Sequence, residues 1–242
     1  MKKIIYIVLG MVLLSSCYKK DNWDAPDARI YGTVVDFYSK KPLLTSQGDW
    51  SIRTWERSWT ESVPQPRDIP VKQDGTYNNE KQFSGNYDML PYGGPFWPIT
   101  DTAKNVAFSK DGTQKDFVVT PYLQVVDLTT AVSGTNLTLT CRLKAPVRTG
   151  LPNLVEIMPY LSLTEFVGAT ANIGIGDYTN KRIQINKSWI AEMGADVETS
   201  KLYTIGPILV KSGYTYNVRV GANVNDAFRK YNYSEIKQVI VP

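Results

Sequence analysis

The segment best equipped for binding is DWSIRTWERSWTE, residues 49–61. If residues 51–60 form one strand, alternate side chains share a face, and one face carries Arg53, Trp55, Arg57 and Trp59. Unpaired arginines are expensive to bury, so this face should look toward solvent or a partner. Tryptophan and arginine are enriched at interface hot spots, and indole faces suit the C–H groups of sugar rings. A bulge that turns Trp55 inward, or arginine stems that cover the tryptophans, would also fit the pattern.

A second aromatic cluster, LPYGGPFWPITD at residues 90–101, is interrupted by three prolines and two glycines. Regular structure cannot persist through such a run. The loop could present Tyr92, Phe96 and Trp97 as a contact surface for a ligand or partner. The same rings could instead close one end of a β-sandwich, which is the simpler structural interpretation.

Most catalytic and metal-binding chemistry is excluded by composition. The chain contains no histidine, which removes Ser-His-Asp and Cys-His catalysis and histidine-ligated metal sites. A glycosidase needs two carboxylates about 5–10 Å apart. Glu56 with Glu61, or Glu156 with Glu165, could be nominated, but nothing distinguishes them among 23 acidic residues. The sequence therefore predicts a non-enzymatic protein without a metal or cofactor.

The amino terminus predicts a lipid anchor. Two lysines precede eleven uncharged residues, Ile4 to Leu14, a run too short to span a bilayer, which takes about 20 apolar residues. The following Ser15-Ser16-Cys17 resembles a bacterial lipobox, in which the cysteine is acylated and becomes the first mature residue. Several acyl chains on Cys17 would anchor the protein stably. An ordinary signal peptide before a chance cysteine is the alternative.

Residues 1–16 are thus assigned as a signal peptide and residues 17–28 as a flexible tether. Removal of the signal lowers the formal net charge from +4 to about +2, too little to favour nucleic-acid binding. The other cysteine, Cys141, has no intramolecular partner left and alternates with leucines, so we expect a small core residue.

The remaining chain predicts an all-β fold of two tandem β-sandwiches, residues 29–121 and residues 122–242. Aromatic and β-branched residues alternate with polar ones, and turn signals recur about every ten residues. Residues 187–193 are the one expected short helix. Tyr216 stands where a tyrosine corner would bond back to the main chain.

The order G-x-V-x-D, K-P-L, D-G-T-Y and G-x-Y in the first half resembles the carboxypeptidase-regulatory-like, prealbumin-type sandwich. ILVKSGYTYNVRVGANV resembles the sixth strand of an immunoglobulin or fibronectin type III domain. Together with GPFWP, VTPYL and KYNYSE, these stretches resemble a family of two-domain Bacteroidota surface lipoproteins of uncharacterised function. Its genes lie in polysaccharide- or nutrient-utilisation loci, beside an importer barrel and its lipoprotein lid. The resemblance implies surface display and nutrient capture, and it supplies no catalytic residues.

The sequence hypothesis is therefore a non-catalytic outer-membrane lipoprotein, exposed at the cell surface and held by the lipid on Cys17. It would be an accessory or ligand-binding part of an import system, and the ligand would be a glycan, a peptide or the importer itself. An adhesin or stalk, and a carboxylate-dependent hydrolase, are the rival hypotheses. Asp101-Thr102-Ala103 also resembles a Bacteroidota O-glycosylation sequon, which makes Thr102 a candidate acceptor.

Overall fold

The computed structural model describes residues 24–58, 63–174 and 178–242. The expected signal peptide, Cys17, most of the tether, Trp59 and Glu61 lie outside the described residues. Within them, the chain is all-β, and the expected pair of sandwiches is confirmed. No helix in this described part is long and apolar enough to cross a bilayer.

The first sandwich is built from two sheets. One has the order β4-β1-β7 with β8 also pairing β1, and the other has the order β3-β2-β5-β6. Alternation buries one face of β1, where Ile30 and Val34 are fully buried, and one face of β2, where Ile52 is. The strands are β1 (Ala28–Asp36), β2 (Ser51–Glu56), β3 (Arg67–Pro70), β4 (Thr76–Gln82), β5 (Gly85–Tyr92), β6 (Ala103–Phe108), β7 (Thr113–Gln114) and β8 (Phe117–Val119).

The second sandwich packs a sheet of order β13-β10-β9 against one of order β12-β11-β14-β15, with β16 also pairing β14. A short helix, α1 (Trp189–Met193), confirms the one expected from the sequence. A 3-10 turn covers Tyr178–Lys181. The strands are β9 (Gln124–Ser133), β10 (Asn136–Lys144), β11 (Leu154–Ser162), β12 (Ile183–Lys187), β13 (Tyr203–Leu209), β14 (Thr215–Val224), β15 (Tyr231–Tyr233) and β16 (Lys237–Ile240).

Two details of the second core agree with the sequence. The hydroxyl of Tyr216 accepts a hydrogen bond from the main-chain N–H of Lys211 at 3.1 Å, which is the expected tyrosine corner. Cys141 is fully buried between Leu139 and Leu143 on the inner face of β10. Its role is therefore packing.

Strand β14 is buried on both faces, which a strand in an isolated sandwich would not be. Its inner residues, such as Val218 and Val220, belong to the core of the second sandwich. Its outer residues Arg219 and Asn223 are also buried. Arg219 donates to the carbonyl oxygen of Thr45 in the first sandwich, which lies against this face, and Asn223 donates to the carbonyl oxygen of Arg229 in the loop after the strand. The two sandwiches therefore meet across a closely packed junction.

We expect the thiol of Cys141 to be unreactive in the folded protein. Burial raises the pKa of the Cys141 thiol to about 12, whereas an exposed cysteine has a pKa of about 8.5. A Cys17→Ser chain should resist a disulfide-exchange reagent at mildly alkaline pH and react fully after denaturation. Reaction of the native chain at the rate of the denatured chain would contradict the core assignment.

Candidate functional site

The face of β2 that carries the predicted binding residues points away from the core. Ile52 and Thr54 are buried at 0% and 1% exposure. Arg53 and Trp55 are half-buried on the other face, and Arg57 after the strand is exposed. The alternation expected for this segment thus holds across the described residues.

Arg53 is held by a carboxylate and by an aromatic ring. Its Nε and Nη2 atoms donate to the two carboxylate oxygens of Asp68 at 2.9 and 3.0 Å, the bidentate geometry that suits a guanidinium. Its guanidinium carbon lies 3.6 Å from the ring centre of Tyr92. The hydrogen bonds to Asp68 raise the pKa of Arg53, and those from Arg53 lower the pKa of Asp68. Both groups are therefore charged and fixed at neutral pH.

The second arginine on this side is also paired. Nε of Arg57 donates to Oδ2 of Asp88 at 2.9 Å. Asp88 stands directly across from Trp55 in the β2–β5 pair, and its Oδ1 accepts from the main-chain N–H of Asn105 at 3.1 Å. Each arginine on this side thus has its own carboxylate, and the local charge is balanced.

Tyr92 also contacts the second domain. Its ring meets that of Phe228 edge to face, with the centroids 5.3 Å apart. Phe228 lies in the β14–β15 loop and rests over Gly93, where an added Cβ would come within 3.6 Å of the ring. Gly93 has φ +74°, a conformation that glycine adopts without strain. We call Arg53, Trp55, Tyr92 and Phe228 together the aromatic–arginine surface; it is built by both domains.

Comparison with known families identifies the chain. Residues 28–120 match the family model for the N-terminal domain of DUF3823, a protein of unknown function. Residues 123–238 match the family model for DUF3823_C, a domain of unknown function. The chain belongs to the DUF3823 family. This confirms the two-domain Bacteroidota family expected from the sequence. No functionally curated protein matches the chain.

Solved structures of DUF3823 relatives share the fold. A DUF3823 family protein from Bacteroides uniformis superposes with a TM-score of 0.71 at 24% identity, covering 90% of this chain and 100% of that one. One from Parabacteroides merdae gives 0.65 at 21%, covering 89% and 100%. A third, described as a "putative carbohydrate binding protein" from Bacteroides uniformis, gives 0.69 at 20%, covering 89% and 99%. At these identities the likeness establishes the fold.

Two of the predicted contact residues pack inward in this DUF3823 protein, Phe96 fully and Trp97 in part. Phe96 is 5% exposed, and its ring packs edge to face on Trp50 at 5.2 Å. Trp97 is half-buried against Tyr122, with ring centroids 5.3 Å apart. The proline-rich loop closes the end of the first sandwich at the domain junction, so Phe96 and Trp97 are packing residues. Of the three rings predicted there, only Tyr92 belongs to the aromatic–arginine surface.

Two of the nominated carboxylates, Glu56 and Glu156, have partners of their own, and Glu61 lies outside the described residues. Glu56 Oε1 accepts from the main-chain N–H of Ser58 at 2.6 Å. Glu156 lies beside Arg182 at 3.5 Å and accepts a hydrogen bond from the hydroxyl of Tyr231. Among the described residues, no group of three acidic, histidine or cysteine side chains could hold a metal ion. Thr102 is half-buried just before β6 and stays a predicted glycosylation site.

Two concavities are further candidate sites in the described part of this family member. One of about 550 Å³ lies at the open end of the first sandwich and is lined by Glu56, Arg67, Asn79, Lys81 and Tyr87 among others. The second, of about 410 Å³, lies between the domains and is lined by apolar residues such as Leu43 and Leu123 together with polar and charged ones such as Asp36 and Glu235. Both volumes fall within the roughly 300–1,000 Å³ of small-ligand sites. Neither includes an exposed aromatic face comparable to Tyr92 and Phe228.

Replacement of Asp68 should lower the stability of the fold at neutral pH and leave it unchanged in acid. The folded pKa of Asp68 is lowered, so its pairing stabilises the fold above the unfolded pKa of about 3.9 and is lost as pH falls through the lower folded value. Asp68→Asn should cost about 0.2–1 kcal/mol at neutral pH, since the carboxylate is partly exposed. Urea denaturation at several pH values measures the difference, which should vanish in acid. Asp101→Asn, at an exposed carboxylate outside β2–β5, is the control; an equal loss at all pH values would refute the ion-pair interpretation.

Proposed function

We propose that this DUF3823 protein is a non-catalytic glycan-binding lipoprotein that serves an outer-membrane nutrient importer. The observation that carries the proposal is the aromatic–arginine surface. Tyr92 and Phe228 keep 38% and 42% of their surface exposed although each is fixed by packing. Rings held in this way can stack on the C–H face of a sugar at little cost in conformational entropy.

The charges around the surface favour an uncharged glycan. Arg53 is paired with Asp68, Arg57 with Asp88 and, at the domain junction, Lys230 with Asp49. An acidic polysaccharide would have to compete with these carboxylates for the cations. A neutral polysaccharide could use the fixed rings and the remaining hydrogen-bonding capacity directly, so the binding should depend little on salt.

The relative described as a putative carbohydrate binding protein supports the glycan hypothesis. Its similarity at 20% identity transfers the fold, and this chain's own rings and ion pairs must account for any binding. The proposed location follows from the lipobox-like sequence at Cys17. Anchoring beside an importer barrel and its lid would raise the effective concentration of captured glycan at the entry site.

Loss of one surface ring should weaken glycan binding. We expect Trp55→Ala, Tyr92→Ala and Phe228→Ala each to reduce affinity about 5- to 150-fold, because stacked aromatic contacts contribute about 1–3 kcal/mol. Affinity electrophoresis against amylopectin, xyloglucan and β-mannan measures the effect, with polygalacturonate as the acidic comparison.

The matched control is Tyr214→Ala, since Tyr214 is 46% exposed in the turn before β14 and away from β2. Equal weakening by this control, or wild-type binding only to polygalacturonate, would contradict the proposed site. Binding of an extended peptide in place of every polysaccharide would replace the glycan hypothesis.

The lipid anchor has its own test. Mass spectrometry of the native amino terminus should find an acylated Cys17, and Cys17→Ala should move the protein from the membrane fraction to the soluble fraction. In mild detergent, the tagged wild type should copurify with an importer barrel and its lipoprotein lid. An unacylated mature terminus would remove the lipoprotein from the proposal, and isolation without the importer pair would remove the accessory role.

A further inference from the structure

Arg219 is a fully buried arginine at the junction between the two domains. It projects from the outer face of β14 and is 0% exposed. Its Nη2 atom donates a hydrogen bond to the carbonyl oxygen of Thr45, in the first domain. Its guanidinium carbon lies 3.9 Å from the ring centre of Tyr233, and Gly168 closes the remaining side, where a Cβ would come within 2.6 Å of Nη2. Three chain segments besides β14 therefore hold this side chain.

The burial of Arg219 is not explained by stability alone. Its Nε and Nη1 atoms find no hydrogen-bond partner among the described residues, and neither does Oδ2 of Asp49. Burial lowers the pKa of Arg219 to about 10, although the charge of nearby Asp49 acts in the opposite direction. Apolar side chains often replace buried charges without loss of stability, whereas a buried charge can specify a single arrangement of the elements around it. The feature that Arg219 would specify here is the docking of the first domain on β14.

An ion pair whose carboxylate acts electrostatically on Arg219 lies between that arginine and the aromatic–arginine surface. Asp49 accepts from Nζ of Lys230 at 2.9 Å, with side-chain exposures of 8% and 31%. Lys230 lies two positions after Phe228. Asp49 lies two positions before Ser51, and Ser51 is the cross-strand partner of Tyr92. The start of β2, which pairs with Tyr92, and the loop that carries Phe228 thus meet at the Asp49–Lys230 pair.

We propose that Arg219 is a positioning residue for ligand binding. It fixes residues 43–50 on the outer face of β14 and thereby holds Tyr92 against Phe228, so that the surface is complete before the ligand arrives. The ligand-binding part of this inference rests on the proposed function. The docking part does not, because it concerns only the contacts between the domains.

Hydrogen exchange of the full chain in detergent tests the docking part. Arg219→Met should raise amide exchange in residues 43–50 and 225–231 at least about tenfold, while β10 in the core of the second domain keeps its wild-type rate. Arg219→Lys keeps the charge but loses the planar fork, and it should loosen the same segments. Asp49→Asn removes the counter-charge on the first domain and should raise exchange in the same segments. It replaces Arg219→Met in the test if that variant does not fold. The control is Arg142→Met, a partly exposed arginine that donates to the carbonyl oxygen of Ser200 within the second domain.

The positioning part is tested by affinity for a polysaccharide. The polysaccharide is the one that the wild type binds from the panel of amylopectin, xyloglucan and β-mannan. We expect Arg219→Met to weaken this affinity about tenfold, close to the loss from Phe228→Ala, and Arg142→Met to leave it unchanged. The inference is overturned if residues 43–50 and 225–231 exchange at wild-type rates in Arg219→Met, or if they loosen without weaker binding. If the wild type binds none of the polysaccharides, the proposed function fails, and the exchange rates alone still decide whether Arg219 fixes the docking.

Discussion

The packing of the first domain against the outer face of β14 is the constraint on which the rest of the molecule depends. A strand at the surface of a sandwich normally has one face in the core and one in water, and β14 has both faces buried. The contact is close: Leu44 of the first domain packs on a buried cluster of Tyr160, Val167 and Tyr233. An added Cβ at Gly168 would lie within 2.6 Å of Oγ of Ser46. The two sandwiches are therefore joined by side chains that belong to the interior of the molecule.

This junction determines what the surface can present. Tyr92 comes from β5 of the first domain and Phe228 from a loop of the second, so their edge-to-face contact exists only in the docked arrangement. Arg53, which lies over the ring of Tyr92, is fixed by both carboxylate oxygens of Asp68. Because each group is held before any ligand arrives, a bound sugar would lose little free energy in ordering protein side chains.

Local patterns in the sequence predict most of the fold and part of the site. Alternation correctly separates Ile52 from Arg53 and places Cys141 in the core, since both results depend only on a period of two within one strand. The turn before Tyr216 likewise predicts a bond that closes over five residues. Short-range rules left a contact surface and a packed end both open at the proline-rich loop. They could not tell exposed Tyr92 from buried Phe96, because the path of such a loop depends on the core that it covers.

Phe228 and Arg219 could not be predicted as partners of the first domain. Alternation assigns Arg219 to the face opposite Val218, which would be the solvent face of an isolated sandwich; only the docking of residues 43–50 makes it a buried residue. The pairing of Tyr92 with Phe228 has the same origin in long-range geometry. A surface of this kind is shallow, so single contacts would be weak and exchange quickly. For a protein anchored at the membrane as proposed, weak contacts are sufficient, because tethering raises the local concentration of sites, and rapid release allows transfer of the glycan to an importer.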